Sequence, residues 1–591
     1  MKKGIVFFFI FFPILSYIAQ NKEQIKDTIK TEIVTIETKY NPKISNAKKI
    51  KQYPQIELLE RNQKIKLKYT TFPAPIASTF IPKEGVVKRM NNSGKERVFK
   101  NYVAAGFGNY TSPYFETYLI HNNRFDDAFG LNAKYNGSLK NIRNSSLNSS
   151  FSNFDIGAFY KKKDRYFDWG VQLNSERNLY NWYGLPNKDF SKSILNSIKE
   201  EQCYNYFELV GIVDFNNTYL DWAKIKTFYF NDGYGSGEIS SKIEAKLELP
   251  LAFLTSRLND ISIKTSIEFL RGTFKNSFKN SFKNTDAISY STTTFSVNPH
   301  YKMNYKNITF KAGLKLIGSS DAENNLKNIF VLPDLLIEKP LITNHLGIYL
   351  GLSGDLHTNT YKEFAQKNPY ISPTLFITQT LEQSNLYFGF DGKINNTLSF
   401  NIKTRFITEQ DKPLFLKNES KSDGTNIEQN GKILKGYEYG NSFKVYYDDL
   451  ETTSISAELA YDYSKELTFK AQGVYNMYTT RKSSEAWNLP TTKTSFSAEY
   501  KNPKWYTTSN IYYVGERKDL LYNEQSTGAF NKIQTLKSFV DINLNGGYHF
   551  NNKFSAFLKL NNILNTHYQR FANFDTQGFQ VLGGMSYKFD F

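Results

Sequence analysis

The residue types that most often carry catalysis or metal binding are scarce in this sequence and widely spaced. The six histidines are His121, His300, His345, His357, His549 and His567. No two of them stand at the spacing of metal ligands, and Cys203 is the single cysteine, so a disulfide within one chain is excluded. A glycine-rich phosphate loop and a serine-centred nucleophile elbow are also missing from the sequence. The sequence therefore predicts no cofactor, no metal site and no enzyme.

The composition favours a chain that crosses a membrane as β-strands. Aromatic residues make up 16% of the 591 residues, with 41 Tyr and 49 Phe, yet the mean hydropathy is −0.51. A membrane helix needs about 20 consecutive apolar residues, and no such run follows the N-terminal signal region. In a transmembrane barrel, half of each strand faces lipid and half faces a polar lumen, and aromatic residues form the interfacial belts. The alternative is a soluble all-β protein rich in tyrosine.

The net charge of +18 points to anionic surfaces rather than to nucleic acid. Lysine residues are spread along the chain without a single basic block. Contact with the phosphates of lipopolysaccharide, or a preference for anionic solutes in a lumen, accounts for this charge more economically than nucleic acid does.

Residues 1–19 have the pattern of a secretory signal peptide. Lys2 and Lys3 give the positive start, an apolar run ends at Ile18, and Ala19 precedes the expected cleavage point. A retained anchor helix is the alternative, although the run is short for it and no stop-transfer charges surround it. Export argues against a cytosolic role.

Residues 20–98 differ from the rest of the chain and are expected to form a periplasmic segment. They are rich in Lys, Glu, Ile and Thr, with little alternation before residue 64. The proline-containing run 72–82 cannot be a central strand, because each proline removes a backbone donor. It is either a peptide that binds a partner or occupies a pore, or a plain linker.

From residue 99 onward the chain alternates between apolar and polar residues with the period of a β-strand. The clearest alternating segments are 242–249, 454–463, 467–476 and 540–550. Charged side chains at every second position suit a water-filled lumen and would be unfavourable in the core of a β-sandwich. The short connections 464–466 and 551–553 suit periplasmic turns, and the long polar stretches 184–202 and 410–441 suit extracellular loops.

These segments predict an all-β fold built as one large antiparallel transmembrane β-barrel. The barrel is expected to occupy residues 99–591 and to contain about 18 to 22 strands, with about 22 as the best estimate. A barrel that wide has an aqueous lumen unless something fills it.

The last strand is predicted to close this barrel. Apolar residues occupy every second position up to the C-terminus. The predicted residues of the closing and assembly strand are Phe579, Val581, Tyr587, Phe589 and Phe591. The stretch resembles the closing strand of bacterial outer-membrane barrels, whose terminal aromatic residue belongs to the signal read by the barrel assembly machinery. The resemblance implies that these residues close and assemble the barrel in the outer membrane of a Gram-negative cell.

Further segments extend the resemblance to the TonB-dependent receptor family. Leu558–Tyr568 is similar to that family's penultimate strand and turn. Gly578, Val581 and the ending 587–589 are similar to its last strand. The segment from Phe72 through the first strands, together with the stretch 181–186, resembles a plug-poor group of such proteins from Bacteroidota. The family imports scarce nutrients with energy passed by TonB, which requires a plug and a TonB box. Neither is recognisable in residues 20–98, which are too few for a folded plug.

Three functions stay open, and the first is favoured. The barrel is expected to take up or pass a solute across the outer membrane, with long loops and a charged lumen as binding surfaces. The alternative is a non-transporting barrel that serves as a structural or partner subunit of a surface or secretion complex. The third function is that of an enzyme, in which Ser/His or Asp/His groups at the rim of the barrel carry out catalysis. The expected partners are outer-membrane lipid, lipopolysaccharide and the barrel assembly machinery, with TonB and a surface lipoprotein as candidates and no nucleic acid.

Overall fold

A computed structural model describes residues 99–590, with gaps at 123–126, 144, 188, 217, 252–260, 276–286, 344, 430 and 522–531. The predicted signal peptide at 1–19 and the predicted periplasmic segment at 20–98 lie outside the described residues and stay predictions. Phe591 lies outside them as well. Within the described part of the chain, no helix is long and apolar enough to cross a membrane.

The described chain forms 28 strands and two short helices. The first part comprises β1 (Asn101–Gly108), β2 (Ser112–Asn122), β3 (Asp127–Ser138), β4 (Phe151–Lys163), β5 (Phe167–Asn181), α1 (Lys192–Ser197), β6 (Glu201–Phe215), β7 (Leu220–Asp232), β8 (Gly237–Leu249), β9 (Ile261–Phe274), β10 (Ile288–Tyr305), β11 (Ile308–Asp321), β12 (Leu326–Ile342) and β13 (Leu346–His357). The second part comprises α2 (Tyr361–Lys367), β14 (Thr380–Lys393), β15 (Leu398–Lys417), β16 (Glu428–Gln429), β17 (Lys432–Ile433), β18 (Phe443–Asp462), β19 (Leu467–Thr480), β20 (Thr492–Lys501), β21 (Trp505–Val514), β22 (Arg517–Leu521), β23 (Lys532–Leu536), β24 (Phe539–His549), β25 (Phe554–Asn561), β26 (Gln569–Phe571), β27 (Phe574–Asp575) and β28 (Gln580–Phe589).

Of these strands, 22 form one closed antiparallel barrel. The others form three hairpins within connecting segments, which pair β16 with β17, β22 with β23, and β26 with β27. The barrel strands pair in sequence order, and β28 closes the ring on β1 from Asn101↔Phe589 to Gly108↔Leu582. Antiparallel neighbours need only short connections, so successive alternating segments form such a meander directly. The predicted all-β barrel and its best strand number of 22 are confirmed.

The two faces of the strands differ as the alternation predicts. On β8, the side chains of Ile239 and Ile243 are exposed on the outer surface. On the opposite face Lys242 forms an ion pair with Glu244, with 3.4 Å between the charged atoms. Repeated around the ring, this arrangement gives an apolar outer belt and a polar lumen, which is the surface of a barrel embedded in lipid. The chain is an outer-membrane β-barrel.

The two ends of the barrel carry different connections. At one end most turns are short, and Asn395, Asn502 and Asn551 each fold one by accepting backbone N–H groups two and three residues ahead. The first residue of β1 and the last residue of β28 pair at this end of the barrel. The short turns identify this end as periplasmic. The long connections at the other, extracellular end include L2 (139–150), L3 (182–200), L7 (358–379), L8 (418–442), L10 (515–538) and L11 (562–579).

The strands beside L8 run further than the sequence predicted. The sequence predicts a loop at 410–441, but β15 continues to Lys417 and β18 begins at Phe443. The residues between Lys412 and Lys417 pair with 443–448 in the sheet, so backbone pairing rather than apolar composition sets the end of the strand. The predicted loop 184–202 likewise corresponds to L3, at 182–200.

Candidate functional site

Loop L7 turns back into the outer mouth of the barrel and contains the helix α2. Thr360 caps this helix, because its Oγ1 accepts the N–H of Glu363 at 3.1 Å. The side chains of Tyr361 and Phe364 are fully buried in a cluster with aromatic residues of β6, β7, β9 and β10. A packed core therefore holds L7 inside the rim of the barrel.

The buried carboxylate of Glu238, at the outer end of β8, anchors α2. Its Oε2 accepts the N–H of Tyr361 and the hydroxyl of Tyr290, both at 2.8 Å, and its Oε1 accepts the N–H of Lys362 at 2.7 Å. Backbone N–H groups in the first turn of a helix have no partner within the helix. A carboxylate at this position satisfies them and interacts favourably with the helix dipole.

Two tyrosine hydroxyls extend the polar attachment of L7. The hydroxyl of Tyr361 donates to Asp232 Oδ2 at 2.8 Å. Burial, reinforced by that carboxylate, raises the pKa of Tyr361 well above its usual range, so the hydroxyl stays protonated and remains a donor. The hydroxyl of Tyr204 donates to the carbonyl of Pro369 at 3.0 Å. L7 is thus tied to the inner wall at its start and near its middle.

Loops L3, L7 and L11 meet in an aromatic junction formed by Tyr183, Tyr370 and Phe574. Tyr370 of L7 stacks on Phe574 of L11, with ring centroids 3.7 Å apart. Tyr183 of L3 packs edge-on against both, with centroid distances of 5.8 and 5.0 Å, and its hydroxyl donates to the carbonyl of Asp575 at 2.8 Å. Gly184 allows the Phe574 ring to approach the backbone of L3, since a Cβ there would overlap the ring.

Loop L8 adds a fourth side to this arrangement. Asn441 Nδ2 donates to the carbonyl of Trp182 at 2.7 Å, and the buried Trp182 ring lies 5.3 Å from the ring of Tyr437. At the start of β18 the N–H of Phe443 donates to the carbonyl of Tyr370 at 3.0 Å. We call L3, L7, L8 and L11 together the loop cap, because their packed residues extend across the outer mouth of the barrel.

The lumen below the loop cap carries paired charges. Lys226 lies 2.7 Å from Glu208, and Lys311 lies 2.8 Å from Asp334. Such pairs suit a polar lumen. Because these lysines face carboxylates, the positive net charge of the chain does not create a basic channel along these strands.

A cavity of about 460 Å³ opens at the outer surface between L2, L3 and L11. Its charged and amide lining residues are Arg143, Asn187, Asp189, Gln569, Asn573 and Asp575. The volume is that of a site for a small ligand. Tyr183 belongs both to the lining and to the aromatic junction, so the cavity adjoins the loop cap.

Three of the predicted closing residues lie outside the loop cap, and the fourth described one, Phe579, is the last residue of L11. Val581, Tyr587 and Phe589 lie on β28, and Phe579 directly precedes it. The side chains of Phe579 and Tyr587 are exposed. None of these four residues lines the cavity or belongs to the aromatic junction. Their role in closure and assembly stays a prediction.

Sequence reasoning missed L7 altogether. The signals that could have located it are Thr360 and Glu363, at the spacing of a capping box, and Pro369 and Pro373, which exclude a central strand. Across the described ranges, no group of three or more His, Cys, Asp and Glu side chains could hold a metal ion.

Replacing Glu238 by Gln is expected to loosen α2 while the barrel stays intact. The amide keeps one acceptor oxygen and gains a donor, so an N–H group of Tyr361 or Lys362 loses its partner. A hydrogen bond to a charged group contributes roughly 1.5–3 kcal/mol, so amide hydrogen exchange in α2 should accelerate by about 10- to 100-fold. Glu248→Gln, at the periplasmic end of the same strand, is the control. Equal exchange rates in the two variants would contradict the anchoring role.

The fold of this chain is shared with outer-membrane receptors of known structure. It is similar to the ferripyoverdine receptor of Pseudomonas aeruginosa, with a TM-score of 0.60, 12% identity and coverage of 83% of this chain and 72% of that chain. The siderophore receptor PirA from Acinetobacter baumannii gives a TM-score of 0.60, 11% identity and coverage of 83% and 80%. The FrpB iron transporter from Neisseria meningitidis gives a TM-score of 0.59, 10% identity and coverage of 84% of this chain and 82% of that chain. No family model and no curated protein matches the sequence. The predicted resemblance to TonB-dependent receptors is thus confirmed at the level of the barrel fold.

Proposed function

We propose that the chain is an outer-membrane uptake receptor that captures a solute at its outer face and passes it through the barrel. The loop cap carries this proposal, because packed loops cross the outer mouth while a polar lumen continues below them. A mouth crossed by a buried aromatic core does not suit free diffusion and requires a step that displaces the loops. The siderophore receptors and the iron transporter with the same fold support this assignment.

L7 is the element best suited to that step. It joins His357 and Thr380, which face each other in the paired strands β13 and β14, so the loop can leave the mouth while the barrel stays closed. Its attachments to Glu238 and Asp232 are hydrogen bonds, which water can replace when the loop moves. Loop displacement of this kind couples capture at the outer face to entry into the lumen.

We further propose that TonB supplies the energy through residues 20–98. Purified TonB periplasmic domain is expected to bind the full mature chain and to show no binding to a chain that begins at residue 99. Isothermal titration of both proteins in the same detergent measures the difference. A chain with the exposed hairpin 428–433 removed is the control and should bind TonB as the full chain does.

The second candidate function is that of a structural or partner subunit. The loop cap also supports this second function, because packed loops can present a fixed surface to a lipoprotein or a secretion complex. If TonB binds neither protein, the uptake proposal loses its energy source and the partner role becomes the better explanation. Contacts with lipid and lipopolysaccharide follow from the apolar outer belt in both cases.

A further inference from the structure

The cavity between L2, L3 and L11 has the chemistry of a ligand site, and it lies beside the loops that cross the mouth. We propose that it captures a neutral, hydroxyl-rich ligand, namely a short oligosaccharide. This inference rests on the proposed uptake function and adds the class of solute to it.

The polar lining combines donors and acceptors rather than a single charge. Asn187, Gln569 and Asn573 carry amides that can both donate and accept, and a sugar hydroxyl also does both. Arg143 faces a lining that contains the carboxylates of Asp189 and Asp575. The described lining residues supply two carboxylates and one guanidinium, so these residues carry no excess of positive charge. An anionic chelate would require such an excess, whereas an uncharged polyol does not.

The apolar part of the lining suits the flat face of a sugar ring. The lining includes the aromatic residues Tyr183 and Phe190 and the aliphatic residues Leu185 and Leu195. All four also pack against a buried cluster formed by L2, L3 and L8. The C–H groups on one face of a pyranose pack against an aromatic ring, while its hydroxyls reach polar groups at the edge. A volume of about 460 Å³ accommodates a ligand of this size.

The cavity is held in shape by contacts within its own loops. Asn573 Nδ2 donates to the carbonyl of Leu185 at 2.9 Å, which ties L11 to L3. The N–H of Asn573 donates to Gln569 Oε1 at 3.1 Å. In L2, the N–H of Ile142 donates to Ser149 Oγ at 2.7 Å. Groups fixed in this way lose little conformational freedom on binding, which favours affinity.

One residue connects the cavity to L7. Tyr183 lines the cavity and also packs against Tyr370, with ring centroids 5.8 Å apart. Its hydroxyl holds L11 through the carbonyl of Asp575. A ligand that shifts Tyr183 therefore changes the packing that keeps Tyr370, and with it L7, in the mouth.

The test is binding of neutral trisaccharides to the full mature chain in detergent. Malto-, cello- and chitotriose are titrated by calorimetry into the unmodified chain and into Arg143→Ala and Asp189→Ala. At least one trisaccharide should bind, and each variant should weaken that binding by about tenfold, the loss expected for a hydrogen bond to a charged group. Arg481→Ala and Glu323→Ala remove exposed charges from other extracellular connections and are the matched controls, which should bind as the unmodified chain does.

Two results would overturn the assignment. One is the absence of trisaccharide binding at millimolar concentration, and the other is binding that Arg143→Ala and Asp189→Ala leave unchanged. Either result in a chain that still binds TonB refutes the sugar site and leaves the uptake function standing. Trisaccharide binding in a chain that does not bind TonB would instead contradict the energised uptake and support the site.

Discussion

A chain in which residues 358–379 are replaced by a hairpin turn of about four residues is expected to conduct ions through the outer mouth. His357 and Thr380 are paired across β13 and β14, so a short turn can join them while the barrel keeps its register. The replacement removes Tyr361 and Phe364 from the buried cluster that holds L7 in the mouth. The ring of 22 strands then encloses an aqueous lumen, because it is too wide for side chains alone to fill.

Single-channel recording in planar bilayers measures this effect. The unmodified chain should be nearly silent, and the shortened chain should conduct at least about tenfold more. Glu323→Ala, in the connection between β11 and β12 outside the loop cap, is the control and should change nothing. The same pair of proteins is then prepared without residues 20–98. Conduction that appears only after both changes would place a second obstruction in that segment, and silence in all four proteins would contradict a gating role for L7.

The barrel could be predicted from the sequence because its signal is local. On β8 the alternation of Ile243 with Lys242 and Glu244 already separates a lipid face from a lumen face. The asparagine turns are equally local, since Asn551 accepts N–H groups only two and three residues ahead. Each strand repeats this alternation of apolar and polar residues, so the number of strands can be estimated by counting the alternating segments.

The loop cap could not be predicted in this way, because its contacts join residues far apart in the chain. Glu238 anchors Tyr361 from a strand that precedes L7 by more than 100 residues. In sequence, a glutamate beside the turn of a barrel strand looks like any other polar residue. The burial of its charge is tolerated only because Tyr290 and two N–H groups of α2 satisfy it. Neither fact is visible in local composition.

The cavity illustrates the same limit. Arg143, Asn187 and Asn573 come from three loops, and no spacing in the sequence relates them. The stretch 181–186, which resembles a group of receptors in sequence, supplies Trp182 and Tyr183 to the loop cap. Which of its residues would be buried and which would line a cavity depends on L8 and L11.

Deleting Phe591 is expected to lower the amount of assembled barrel in the outer membrane several-fold. The resemblance to outer-membrane barrels implies that a terminal aromatic residue is read by the assembly machinery. β28 is also the strand on which closure depends, because it pairs with β1 from Asn101↔Phe589 to Gly108↔Leu582. A chain whose last strand is not delivered exposes the unpaired edges of β1 and β28, which favours aggregation and degradation.

A charge on the lipid side of β28 should have a related but separable effect. Tyr587 is exposed on the outer face, and Tyr587→Arg places a charge against lipid, at a cost of roughly 2–4 kcal/mol at the bilayer midplane and less toward the interfaces. Lys588 points to the opposite face, so Lys588→Glu is the matched control and should assemble normally. The heat-dependent mobility of outer-membrane fractions on SDS gels reports the folded barrel. Full assembly without Phe591 would remove its signal role, and equal losses in Tyr587→Arg and Lys588→Glu would show that charge alone, rather than contact with lipid, disturbs the strand.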